Sequence, residues 1–290
     1  RRKEQTNMGI LADMLSFSFI CRALVVGIFV ALCAALLGVS MVLKRYAMIG
    51  DGLSHVSFGA LSVALAFGFA PLKLAIPAVA LVAFFLLRIT ESGKVKSDAA
   101  IAAVSASSLA IGIIVTSLKT GINTDVCSYM FGSILAMTQE DVLLSVILSA
   151  AVLILFVFCY HKIFAITFDE NFARATGVHV SFYNTLIAVL TAVTVVLGMR
   201  MMGALLISSL IIFPAMSSMR IWKRFLHVVI SAGVLAVCCF GVGVVGSYQF
   251  DIPVGASVVV VNLLVFLLFC VVQAVREYLG KQRAAAQLKK

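Results

Sequence analysis

The sequence predicts an all-α, polytopic membrane protein with about nine membrane-spanning helices, eight being the alternative count. Three observations predict it. Of the 290 residues, 63% are hydrophobic and 12% charged, and the mean hydropathy is +1.16, values that soluble globular domains do not reach. Most apolar runs are close to the roughly 20 residues that a helix needs to cross the hydrocarbon core. None shows the alternation over roughly ten residues that marks a barrel strand.

In chain order the apolar runs are 20–43, 51–69, 72–87, 99–118, 142–160, 185–197, 204–219, 225–245 and 254–275. Two boundaries are short: "FAPLK" between the second and third runs and "GMRMMG" between the sixth and seventh, where one broken helix or a re-entrant pair is the alternative. Pro214 in "LIIFPAMSS" marks a kink. Placing the C-terminus inside leaves only Arg1, Arg2, Lys3, Arg22, Lys73, Lys119 and Arg200 of the 22 Lys and Arg outside, as the positive-inside rule favours. The net charge of +10 is spread over these short gaps rather than gathered on one face, so it reads as a topology signal and not as a nucleic-acid surface. No linker or internal repeat divides the chain, and residues 1–290 are expected to form one integral-membrane domain. Within it, 1–19 is read as an interfacial lead-in whose following apolar run is too long for a signal peptide. Residues 161–184 are read as a cytoplasmic loop and 276–290 as a cytoplasmic tail.

The stretch "MIGDGLSHVSFGA", residues 48–60, carries Asp51 and His55. An ionisable group at the centre of a membrane helix costs about 2.5–3.5 kcal/mol on insertion scales, so such groups are functional by default. Four residues apart on a helix, the two share a face, and carboxylate oxygen with imidazole nitrogen suits Zn²⁺, Mn²⁺ or Fe²⁺. They supply at most half of a tetrahedral site, and a dimer axis would bring up the other half. The competing reading is a helix-start aspartate beside Gly50, with His55 simply hydrogen-bonded in the bundle. Small residues around the pair and in "SDAAIAAVSASSLAIG" allow close helix packing.

The gap 161–184 contains "FDENFARATGV", read as a short helix with acidic residues at its start and a stop at Gly177. Phe168 and Phe172, four apart, are expected to share its apolar face. A helix of this kind offers a docking surface for another protein. The outer gap 119–141 carries Asp125, Glu140 and Asp141, an acidic surface suited to a basic partner.

Several chemistries are absent. There is no GxxxxGK[ST], HExxH or GxSxG. The seven cysteines contain no CxxC pair and are read as small buried hydrophobes. Met199, Met201 and Met202 are read as gap fillers rather than copper ligands.

Five stretches in order, "LKRYAMIGDGLSHVSFGAL", "KSDAAIAAVSASSLAIGIIV", "YMFGSILAMTQEDV", "FDENFARATGV" and "GMRMMGALLISSLIIFPAMSS", resemble the permease subunit of bacterial ATP-binding-cassette importers for zinc, manganese or ferrous iron. One departure is that Ala102 and Ala103 follow Ile101 where family members often carry a glycine. The resemblance implies a vitamin B12-importer-like, type II permease fold in the bacterial cell membrane, with a cytoplasmic C-terminus. It implies a homodimer, two cytoplasmic ATPase subunits and an extracytoplasmic metal-binding protein, with no permanently bound cofactor and no enzymatic activity of its own. It assigns Asp51 and His55 to the transported ion, with zinc favoured, and places Phe168, Asp169, Glu170, Phe172, Ala173 and Gly177 in the ATPase-coupling loop. It places Asp125, Glu140 and Asp141 where the binding protein docks. A rival class is an ion- or proton-coupled secondary transporter in which Asp51 and His55 relay protons; inverted halves would favour it, and none is visible.

Overall fold

The computed structural model describes residues 18–92, 96–118 and 138–287. Among these, every regular element is a helix: α1 (Ser18–Leu43), α2 (Ala47–Ala66), α3 (Pro71–Glu91), α4 (Ser97–Leu118), α5 (Gln139–Phe158), α6 (Tyr160–Phe168), α7 (Glu170–Ala175), α8 (Val180–Met202), α9 (Ala204–Ile221), α10 (Phe225–Phe250) and α11 (Val254–Gln287). Nine are long and apolar enough to cross a bilayer, which decides for nine spans over eight among the described residues.

Both short boundaries are real reversals. After α2 the chain turns at Gly68 with φ +73°, and Pro71 opens α3, where its missing N–H costs nothing. Between α8 and α9 stands Gly203 alone, at φ 84° and ψ 165°, a conformation essentially restricted to glycine. Gly198 and Ile207 then face each other across the turn: a Cβ on Gly198 would lie 2.4 Å from Ile207 Cδ1.

Burial ranks the helices. The apolar windows of α1 and α2 are each 67% buried and that of α8 61%, whereas α4, α5 and α11 are only 17%, 22% and 11% buried. α1 is the axis of the bundle and packs against α5, α8, α9 and α10, while α2 lies between α4 and α9. Glycines set these approaches. A Cβ on Gly38 of α1 would sit 2.1 Å from the carbonyl oxygen of Ile211, and one on Gly59 of α2 would sit 2.6 Å from that of Ser108 in α4. Small residues thus let backbones touch where apolar side chains would hold them apart.

Two expectations need correction. The span read as 185–197 runs from Val180 to Met202, because Ser181, Asn184 and Arg200 dilute the apolar run without interrupting the helix. The gap read as a loop over 161–184 is mostly helical: α6, α7 and the start of α8 occupy it. His161 and Lys162 lower its hydropathy, yet Ile163 and Ile166 are fully buried under the bundle.

The glycine contacts give a paired expectation. Gly38→Val drives side-chain atoms into a backbone carbonyl and is expected to destabilise by at least about 1–3 kcal/mol, whereas Gly241, with nothing within 4 Å of a built Cβ, should accept alanine at no cost. Thermal unfolding of the two variants in detergent measures this; equal midpoints would contradict the assigned packing.

Candidate functional site

Asp51 lies one full turn inside α2, whose N-cap position is Tyr46, so it is not a helix-start aspartate. Its carboxylate Oδ2 is 3.9 Å from His55 Nε2, with the two side chains 45% and 25% exposed. The helical spacing therefore does bring the pair together on one face. From α9, Ser208 Oγ lies 3.0 Å from Asp51 Oδ1 and 3.1 Å from the carbonyl oxygen of Ala204. A hydroxyl carries one proton, so Ser208 steadies the carboxylate in one rotamer and releases it to other partners in another. Sequence reasoning missed Ser208, since nothing local links it to a residue 157 positions away.

The small residues beside Asp51 serve packing. A Cβ on Gly50 would meet Ile211 Cδ1 at 2.8 Å, and one on Gly52 would meet Ile101 Cγ2 at 2.5 Å. They hold α2 tightly between α9 and α4, and this fixes the direction in which the pair points. Among the described residues no three His, Cys, Asp or Glu side chains converge as a metal site. The chain therefore presents an oxygen and a nitrogen donor, partly open, without the remaining ligands of a closed site. Met199, Met201 and Met202 are buried in the core, where a soft, flexible side chain fills gaps.

On the face of the bundle where α1 ends and α8 begins, α7 carries the residues singled out around Gly177. Asp169 caps it, accepting from the backbone N–H of Asn171 at 2.9 Å and of Phe172 at 3.0 Å. Glu170 stands in the first turn and Arg174 in the last, matching the helix dipole. Gly177 closes it at φ +82°, with Val178 N–H donating to the Ala173 carbonyl and Gly177 N–H to that of Arg174, the Schellman arrangement. Ala173 is fully buried and anchors the helix. The expectation of Phe168 and Phe172 on one helical face is wrong: Asp169 adopts φ −150° and ψ 101° to free its carboxylate for capping, which breaks the helix between them. Phe168 ends α6 against Phe164 and Phe225, and Phe172 projects from α7, 63% exposed.

On the opposite face, Asp125 lies outside the described residues. Glu140 is exposed, but Asp141 is engaged within the fold. It forms a capping box with Thr138 and lies 3.8 Å from Arg200 Nη2 at the end of α8.

This architecture matches known proteins. The profile of the ABC 3 transport family covers residues 16–273, and the chain belongs to that family, the membrane permease subunits of bacterial ATP-binding-cassette metal importers. It is 30% identical over 256 residues to a "probable metal transport system membrane protein" of Treponema pallidum, covering 88% of this chain and 96% of that one. It is 27% identical over 266 residues to the manganese import system permease protein ScaB of Streptococcus gordonii, covering 92% and 95% of the two chains. The structure of PsaBC from Streptococcus pneumoniae in complex with Fab superposes with a TM-score of 0.82 at 26% identity, over 91% of this chain and 95% of that one. The fold is thus that of type II importer permeases.

The capping helix yields a pH expectation. Burial raises the Glu170 carboxyl, but the hydrogen bond and charge of Lys44, 2.6 Å away, with help from Asn184 and Arg174, hold it below the ordinary value of 4.5. A depressed carboxyl contributes stability above its unfolded pKa and loses it as pH falls through the lowered folded value. The melting-temperature difference between the natural protein and Glu170→Gln should therefore be full at neutral pH and vanish in acid, below about pH 4. A difference that stayed constant into that range would contradict the ion pair.

Proposed function

We propose that the chain is the permease of an importer for divalent first-row transition-metal ions, and that Asp51 and His55 contribute ligands on the ion's path. The observation that carries this reading is the pair itself: one carboxylate and one imidazole, one helical turn apart, open to approach, in an otherwise apolar bundle. Oxygen plus imidazole nitrogen suits Zn²⁺, Mn²⁺ and Fe²⁺ alike. The family resemblance favours zinc, and the relative named for manganese import adds manganese as the second candidate cargo.

In this mechanism two copies of the chain pair across an axis, so that each supplies half of the ligand set. The weakly buried faces of α4 and α11 are the surfaces available for such contacts. An extracytoplasmic binding protein delivers the ion on the face of Glu140, where residues 119–141 lie. The face bearing α7 is cytoplasmic, consistent with Lys44, Arg88, Lys162, Arg174, Arg220 and Arg224 gathering there. Partner ATPases dock against α7, with exposed Phe172 and Phe168 as apolar anchors, and their closure on ATP turns the pathway inward. A donor set spread over two chains suits transport: ligands must replace enough water for entry, while a complete cage would trap the ion. Ser208 contributes by taking up or releasing the Asp51 carboxylate as the ion passes.

Purified transporter in liposomes, supplied with binding protein and internal ATP, tests the reading. Asp51→Ala and His55→Ala should each lower uptake by about tenfold or more, with expression and dimer assembly unchanged. Because only neutral imidazole ligates, uptake by the natural protein should also weaken in acid. Normal uptake by either variant would remove these residues from the ion's path, and parallel assays with Mn²⁺, Zn²⁺ and Fe²⁺ identify the cargo.

A further inference from the structure

Lys44 follows the last residue of α1, and its side chain is only 7% exposed. A buried ammonium is costly unless paired, and here it is shared. Its Nζ lies 2.6 Å from Glu170 Oε1 and donates also to Asn184 Oδ1. Asn184 in turn donates through Nδ2 to Glu170 Oε1 at 3.3 Å and to Glu91 Oε1 at 3.0 Å. Arg88 completes the set, 3.4 Å from Glu91 Oε2 and 2.7 Å from Ser181 Oγ. Two cations and two carboxylates thus join four separate pieces of chain: the α1–α2 corner, the end of α3, α7 and the start of α8.

The corner that bears Lys44 has no slack. Lys44 N–H donates to the Ser40 carbonyl, Arg45 N–H to that of Val42 and Tyr46 N–H to that of Met41, after which Ile49 N–H donates to Tyr46 and α2 begins. The same Schellman pattern ends α7, but at Gly177; here Arg45 takes the left-handed position at φ 63°, one that disfavours any side chain bearing Cβ. A displacement of Lys44 therefore passes into α2 rather than into a flexible link. Asp51 lies one turn into that helix.

Resting on the functional reading above, we propose that Lys44 is a positioning residue that joins the ATPase-coupling helix α7 to the metal-bearing helix α2, so that movement of α7 reaches Asp51 and His55. In this arrangement the ATPase pushes on α7, Glu170 and Asn184 carry Lys44 with it, and the hydrogen-bonded corner turns α2 as a rigid body. Lys44 touches neither ion nor ATPase. Its loss should separate the two activities rather than abolish either.

The test uses the assembled transporter in liposomes and reads metal ions moved per ATP hydrolysed. Lys44→Met should lower that ratio on the order of tenfold, within the usual range for coupling between sites. ATPase co-purification and metal binding to the detergent-solubilised permease should stay at natural levels. Lys44→Arg, which keeps the charge, should retain most of the ratio. Glu170→Gln keeps an acceptor for Lys44 and should fall between; it decides the question if Lys44→Met fails to fold. An unchanged ratio in the folded variants overturns the inference while leaving the transport reading intact, and so does loss of ATPase co-purification, which would make this region a docking support. A natural transporter that hydrolyses ATP and moves no metal overturns both.

Discussion

A charge inside an apolar bundle must find a partner, and in this protein the partners lie far away in sequence. Lys44 meets Glu170 and Asn184, Arg200 meets Asp141, and Arg88 reaches Ser181. Each of these contacts ties helices whose apolar surfaces would otherwise leave their relative height and rotation loosely determined, because lipid competes with apolar packing on equal terms. The polar contacts sit at the two ends of the bundle. They fix its faces while the glycine contacts of α1, α2 and α9 fix its middle.

Asp51 and His55 stand apart from this pattern. Their pair lies within one helix, remains partly exposed, and gains from another helix only the hydroxyl of Ser208. A structural ion pair would be closed and buried like Lys44 with its neighbours. A pair left open, in a helix otherwise held tightly between α4 and α9, keeps its donors free for a passing cation. The same tightness makes α2 a stiff element whose rotation would move both donors together.

Local features of the fold were legible in the sequence. Composition and run length gave the helical membrane class, the four-residue spacing brought Asp51 and His55 together, and Asp169, Glu170 and Gly177 marked the ends of α7. Features that depend on distant contacts were not. Lys44 reads as one more basic residue in a short gap, since its partners stand 126 and 140 positions away in the folded chain. Asp141 reads as a surface charge until Arg200 is beside it. Phe168 and Phe172 appear to share a face only if the helix is continuous, and the capping role of Asp169 breaks it. The segment 161–168 looked like a loop because His161 and Lys162 outweigh, in any hydropathy sum, the two buried isoleucines that define its packing.

The central claim is that each chain supplies an incomplete oxygen and nitrogen ligand set to the transported ion. X-ray absorption at the metal edge, recorded on the assembled dimer loaded with manganese or zinc, tests it most directly. The account predicts a first shell of oxygen and nitrogen only, about one ion per two chains, and an imidazole signal that disappears in His55→Ala. Sulfur neighbours from cysteine or methionine, or an imidazole signal that survives the loss of His55, would contradict it.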